Sequence, residues 1–401
     1  MFRISVDMDA PIELDVLEHA LDKALKRFPI FSCTLRRGFF WHYFEHIEGI
    51  PPITEDVNNP MTRLFTEDNG GFLFRVCIYR SRLAIEFFHS IADGRGALSF
   101  FLSLLREYLQ MKYGEFIPTE AYVLDCDATP SNEETEDSFL RYARKGRLSK
   151  KEEKAYRPNA KRLPKWEVMI TTGVVPTDEL LETAHYYDVT VGEFLTSLLI
   201  LSLLRYQDNE TRGKAGKLPI KVSVPIDLRR FFSSHTLRNF SSYVNIGVEP
   251  CLGTFTFREI LTQVKGDMMT HVTRKNLQAK FSGNVATESN PWVKMLPLFV
   301  KQPLMRIGYL ILGNDKCTSA TLSNLGKVEL PQQMSSHIKR LDALLGQHTN
   351  CRPGCAVISC NGNTTINFTR IMESPAIERE FFRELVKMGV PVYVETNRRE
   401  K

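Results

Sequence analysis

A mixed α/β fold in two lobes is what this sequence predicts, and three observations carry it. Segments alternating at period two, such as "FRISVDMD" and "LPIKVSVPIDLRRFF", are interleaved with segments of helical apolar spacing, such as "ELDVLEHALDKALKRF". Strands and helices do not alternate one for one, as a doubly wound sheet would require. Midway, residues 126–165 turn acidic, then basic, and poor in branched apolar residues, the mark of a surface crossover. The chain of 401 residues therefore divides into an N-terminal lobe, 1–165, and a C-terminal lobe, 166–401.

The first lobe opens on the strand "FRISVDMD". The helix after it carries Leu14, Leu17, Ala20, Leu21, Ala24, Leu25 and Phe28 in one stripe. "FSCTLRRGFFWHYFE" and "FLFRVCIYRSRLAIEFFHS" are strand material, with short turns expected around Arg37–Gly38 and Arg80–Ser81. From Ala97 to Leu109 the pattern is helical and apolar nearly all round, so a buried helix is expected. The second lobe opens with a strand, "WEVMITTGVV", and a helix, "PTDELLETAHYYD". Thr190 and Glu193 form a capping-box pattern ahead of the apolar helix "VTVGEFLTSLLILSLLRY". "LPIKVSVPIDLRRFF" is a strand running into a loop, and later strands are expected at "TSATLSNLG", "CAVISCNGNTTINFTR" and "PVYVE".

A net charge of +5 is too mild for the dense basic stripe of a nucleic-acid binder. Neither a phosphate-loop GxxxxGK[ST] nor a GxGxxG after a strand is present. His348, Cys351, Cys355 and Cys360 invite a zinc reading, but the C-x3-C-x4-C spacing matches no paired knuckle. "CAVISC" is instead a buried strand, so no metal is expected and the thiols are those of a reduced, cytoplasmic protein. The opening "MFRISVDMDAP" lacks the apolar region of a secretory signal. "FLTSLLILSLL" is too short to span a bilayer, and "VKMLPLFVKQPLMRIGYLILG" is interrupted by Lys294, Lys301, Arg306 and two prolines. The expectation there is a buried or amphipathic helix rather than an integral membrane segment, with peripheral membrane contact as the alternative.

The chemistry concentrates in "FFHSIADGRG", residues 87–96. Read as a strand, "RLAIEFFHS" puts Leu83, Ile85, Phe87 and His89 on one face, with the imidazole where a buried face ends and a cleft could open. Asp93 and two glycines follow in a turn ahead of the helix from Ala97. A histidine that merely ends a strand is the bland alternative. Strand, glycine turn and apolar helix together favour a functional site.

"HSIADG" resembles the HxxxDG signature of the chloramphenicol acetyltransferase-like acyltransferase superfamily. The likeness extends to "ALKRFPIFSCTLRRGFFWHYFE", "VTVGEFLTSLLI", "VSVPIDLRRFFSSHTLRNF" and "TLSNLGKVELP", segments similar to the bacterial alcohol acetyltransferase branch. The resemblance implies two chloramphenicol acetyltransferase-like lobes with the active site in a tunnel between them. It implies His89 as general base and Asp93 as a structural residue paired with Arg229 of "PIDLRR". Gly94 would allow close backbone packing behind His89. Ser323, with Asn324 beside it, would supply the oxyanion donor; Thr321 is the alternative, and a plain strand-ending turn remains a second one. Phe88 stands where many relatives carry a second histidine, which disfavours a condensation domain, and the DFGWG box of the plant enzymes is absent.

The function so implied is an acyl-CoA-dependent O-acyltransferase, an acetyl-CoA:alcohol acetyltransferase, taking acyl-CoA as co-substrate and a small-molecule alcohol or amine as acceptor. Two alternatives stay open. One is a carrier-protein-dependent or N-acyl transferase of natural-product assembly; the other is a non-catalytic relative that binds a ligand in the cleft.

Overall fold

Each lobe grows from one sheet that buries an apolar face. The structure, a computed structural model, describes residues 1–62, 69–144, 152–211, 218–312, 314–346 and 352–398. The first half forms β1 (Phe2–Met8), α1 (Leu14–Arg27), β2 (Cys33–Arg37), β3 (His42–His46), β4 (Ile53–Glu55), β5 (Phe74–Tyr79), β6 (Arg82–Phe87) and α2 (Gly94–Tyr113). The short helices α3 (Asn132–Thr135) and α4 (Ser138–Tyr142) lie in the crossover. Next come β7 (Met169–Pro176), α5 (Thr177–Tyr186), α6 (Val191–Thr211), β8 (Ile220–Asp227) and β9 (Ser241–Val248). A helical stretch follows: α7 (Phe257–His271), α8 (Arg274–Ser289), α9 (Pro291–Met295) and α10 (Leu298–Leu312). After β10 (Ala320–Lys327) and α11 (Gln332–Ser335), the chain finishes with β11 (Ile338–Leu345), β12 (Gly354–Cys360), β13 (Asn363–Arg370), α12 (Ala376–Lys387) and β14 (Tyr393–Thr396).

The first sheet has the order β11-β1-β6-β5-β4 and the second β14-β7-β13-β12-β10-β8-β9, while β2 and β3 pair as a hairpin. Alternation selects what faces inward: Ile4 and Val6 of β1 join Leu83, Ile85 and Phe87 of β6 in the first core. There Phe31 stacks on Phe100 at 4.2 Å, and Phe28 and Phe74 meet the same ring edge-on at 5.5 Å. The second core gathers Phe194, Leu198 and Leu199 of α6 with Val222, Ile246, Leu322 and Ile366. Thr190 and Glu193 do close a reciprocal cap on α6, through bonds of 2.8 and 3.2 Å. β12 serves both cores, since Cys355 and Val357 face the second and Ala356, Ile358 and Cys360 the first.

Two features depart from the expected organisation. β11 lies beyond the division at 165/166, yet it pairs antiparallel with β1, Leu341 opposite Val6, and completes the first sheet. Its pattern escapes period-two reading because Asp342 is buried there, taking a 2.9 Å bond from Arg340 Nε. The crossover, expected as a surface excursion, is anchored to both lobes. Arg27 holds Glu134 by two bonds of 2.6 and 2.7 Å, and Phe139 meets Phe240 and Phe281 of the second lobe at 5.1 and 5.6 Å.

Cys355 and Cys360 face opposite cores, and burial pushes both thiols up, Cys360 to about 11. They cannot join in one metal site; His348 and Cys351 lie outside the described residues. Among the described residues no helix is by itself long and apolar enough to cross a membrane.

Candidate active site

The ladder of β6 ends at Phe87, and His89 sits in a tight turn closed by a 3.1 Å bond from Ile91 N to Phe88 O. His89 is thus two residues past the strand on which alternation placed it. The strand itself is covered on both faces, because Glu86 is buried under Arg3 and Arg75. Phe88 leans on the first core. The His89 ring meets Phe2 edge-on at 5.0 Å, and its carbonyl accepts a 3.3 Å bond from Asn239 Nδ2 of the second lobe.

The side chain is open to water, yet the surrounding protein desolvates the imidazole and lowers its pKa below the ordinary 6.5. A bond to its own backbone and the charge of Asp93 oppose that shift without reversing it. The shift favours the neutral imidazole, the form that can accept a proton.

Asp93 is the N-cap of α2, its Oδ1 accepting from Gly96 N at 3.0 Å. The turn expected ahead of Ala97 is therefore the first turn of the helix itself. The other carboxylate oxygen accepts from Arg229 Nη1 at 2.7 Å and from Phe240 N at 2.8 Å. Arg229 also donates to Asp227 at 2.9 Å, to Thr236 O at 2.8 Å and to Arg238 O at 2.7 Å. Burial works against the guanidinium charge, but Asp93 and Asp227 outweigh it and raise its pKa. One buried ion pair thus ties the start of α2, and the turn that carries His89, to the loop between β8 and β9.

Glycine matters here at two places. A Cβ on Gly94 would come within 2.7 Å of Leu325 Cδ2, so β10 closes on the motif at that point. The tightest approach is at Gly96, where a Cβ would lie 1.9 Å from the carbonyl oxygen of Leu237. Close backbone packing therefore belongs to Gly96, which the sequence analysis did not single out.

Thr321 and Ser323 alternate with the buried Leu322 on β10, and Ser323 lies beside Ala356 of β12 in register. Ala356 belongs to the first core, so Ser323 and Thr321 occupy the face of β10 turned toward the first lobe. Leu325, two residues on, makes the approach to Gly94. Asn324 Oδ1 accepts from Gly326 N at 2.9 Å, and Gly326 has φ +80°, so this amide supports a bulge inside β10, where the register against β12 slips between Asn324 and Lys327. Sequence reasoning also missed Asn239, Asp227 and Phe240. Asp227 stands within "PIDLRR", but Asn239 and Phe240 act on or through backbone groups and leave no pattern. Among the described residues no cluster of three or more His, Cys, Asp or Glu side chains could hold a metal ion.

No family model matches the chain, and no curated protein matches it. Solved structures do. Polyketide synthase associated protein 5 from Mycobacterium tuberculosis is 12% identical with a TM-score of 0.59, covering 96% of this chain and 92% of that one. A trichothecene 15-O-acetyltransferase from Fusarium sporotrichioides gives 12% and 0.59, over 96% and 89%. The first condensation domain of the CDA synthetase gives 12% and 0.58, over 98% and 93%. The chain has the two-lobed acyltransferase and condensation-domain fold. In this fold the contacts described above are where the two lobes of the chain meet, with His89 at the seam.

Proposed function

We propose that the chain is an acyltransferase that moves an acyl group from acyl-CoA to the hydroxyl of a small-molecule alcohol. The observation that carries this reading is the placement of His89. It is open to water, neutral by desolvation, and aimed by a turn that the Asp93–Arg229 pair fastens across the lobes. His89 takes the hydroxyl proton as the acceptor oxygen attacks the thioester carbonyl carbon. The tetrahedral oxyanion accepts a hydrogen bond from Ser323 or Thr321. Collapse breaks the carbon–sulfur bond, and the imidazolium returns the proton to the departing thiolate. Likeness to the bacterial alcohol acetyltransferases supports acetyl-CoA and an alcohol as the pair, and small-molecule partners rather than a nucleic acid.

Thiol release from acetyl-CoA across a panel of alcohols and amines tests the reading. His89→Ala should lower the rate by about 10²- to 10⁴-fold while leaving the melting temperature near wild type. The pH profile adds a second constraint. A protonated imidazole cannot act as base, and desolvation lowers the His89 pKa, so kcat/KM should be flat at neutral pH and fall only below about 6.5. Equal rates for both proteins, or turnover only with carrier-bound acyl groups or amines, would overturn the O-acyltransferase reading.

A further inference from the structure

The apolar run is mostly exposed over its described side chains, residues 295–308, although a buried or amphipathic helix is the sequence expectation for it. Among its described side chains only Leu298 and Lys301 are buried. Phe299, Met305 and Ile307 of α10 are 61, 64 and 54% exposed, and Trp292 and Met295 of α9 are 79 and 70% exposed. From Gln302 to Ile307 the helix is exposed on every side. An apolar helix of that kind is at rest only in an apolar surrounding.

The turn of the β2–β3 hairpin extends this surface with Phe39, Phe40 and Trp41. Leu298 N donates to Phe39 O at 2.8 Å, and the Phe39 and Phe299 rings lie 6.4 Å apart. Lys301 Nζ donates to Phe40 O at 3.0 Å and sits 3.4 Å from the centre of the Trp41 ring. A buried cation therefore locks hairpin to helix while the rings around it stay outside. The hairpin also borders the motif: Cys33 and Phe44 line a cavity of about 220 Å³ together with Ile91.

Charge selects the occupant. From Pro291 to Leu312 the chain holds Lys294, Lys301 and Arg306 and no carboxylate. Arg37 adds an exposed cation at the hairpin, where Arg36 is paired with Glu45 at 2.6 Å. A second copy of this chain would bring the same cations against each other. Aromatic and aliphatic side chains ringed by Lys and Arg suit the headgroup region of an anionic membrane instead. We propose that this surface docks the protein on an anionic lipid bilayer. Trp292, Phe299 and Met305 enter the boundary between headgroups and acyl chains, and Lys294, Arg306 and Arg37 meet lipid phosphates. The docking does not depend on the reaction proposed above.

Flotation with vesicles of phosphatidylcholine, with and without phosphatidylglycerol, tests it. The wild-type chain should float with the anionic vesicles and show a blue-shifted tryptophan emission. Phe299→Asp with Met305→Asp should lower the apparent partition constant by at least about tenfold. Lys294→Glu with Arg306→Glu should do the same in low salt. All four side chains are exposed, so melting temperature and thiol release should stay at wild type. No preference for anionic vesicles, or variants that bind like wild type, would overturn the proposal. So would self-association in lipid-free solution that Met305→Asp abolishes, because the surface would then belong to a second copy.

Discussion

Without the Arg229 guanidinium, the Asp93 carboxylate would stay buried with only the Gly96 and Phe240 amides as donors, and the Thr236 and Arg238 carbonyls would lose their partner. Breaking a buried pair from one side costs about 3–5 kcal/mol. Arg229→Ala should therefore lower the melting temperature and the activity together, and Arg229→Lys should not restore either. A single ammonium cannot reach four acceptors that the planar guanidinium divides among three nitrogens. Wild-type melting in Arg229→Ala would refute this account. At this scale the sequence was only partly legible. Asp93 and Arg229 stand 136 positions apart, and nothing local joins them; only the resemblance paired them. The cap was legible in principle, since an aspartate before an apolar helix is a start signal. It went unread because two glycines next to it suggested a turn.

Elements were most legible where one face is wet. The stripe on α1 maps onto its buried side, Leu17, Ala20, Leu21, Ala24 and Leu25, with only Leu14 left outside. Reading failed at β11, where the buried Asp342 breaks the alternation, and at α10, whose side chains from Gln302 to Ile307 are all exposed, because periodicity then carries no direction. It succeeded at α2, apolar nearly all round and buried as expected. Helix glycines give a paired test of how packing overrides propensity. Alanine is favoured over glycine in a helix interior by about 1 kcal/mol. At Gly266 in α7 no atom lies within 4 Å of an added Cβ, so Gly266→Ala should raise the urea midpoint. At Gly96 the Cβ would stand 1.9 Å from Leu237 O, a backbone atom that cannot swing aside. Gly96→Ala should therefore lower the midpoint and the activity, as the β8–β9 loop is pushed off α2. Shifts of the same sign in both variants would mean that propensity, not contact between the lobes, governs the start of α2.

The two lobes are separate cores but not separate folding units. Val328, Met334, Ile338, Leu341 and Ala343 come from late in the chain, yet they sit in the first core together with Ala356 and Ile358. Asn367 Nδ2 of β13 reaches Asp342 of β11 at 3.3 Å, and Arg340 reaches Glu395 of β14 at 2.9 Å, so the first sheet's outer strand is bonded to the second sheet. A reading by composition finds the charged crossover and places the division there. It cannot find a strand that returns only at Ile338 to complete the first sheet, because pairing between distant segments leaves no local mark. The consequence can be measured. A fragment of residues 1–165 would lose β11 from the edge of β1 and expose the apolar side chains those late residues cover. Unpaired β-edges with bare apolar faces aggregate. The fragment should therefore lack a cooperative melt and aggregate, whereas the full chain should unfold in one calorimetric transition despite its two cores. A fragment that melts cooperatively, or two resolved transitions in the full chain, would show that the first lobe closes without β11. Joining the lobes in this way also fixes β1, and with it Phe2 beneath the His89 ring, so the site's geometry depends on the last third of the chain as well as on its own motif.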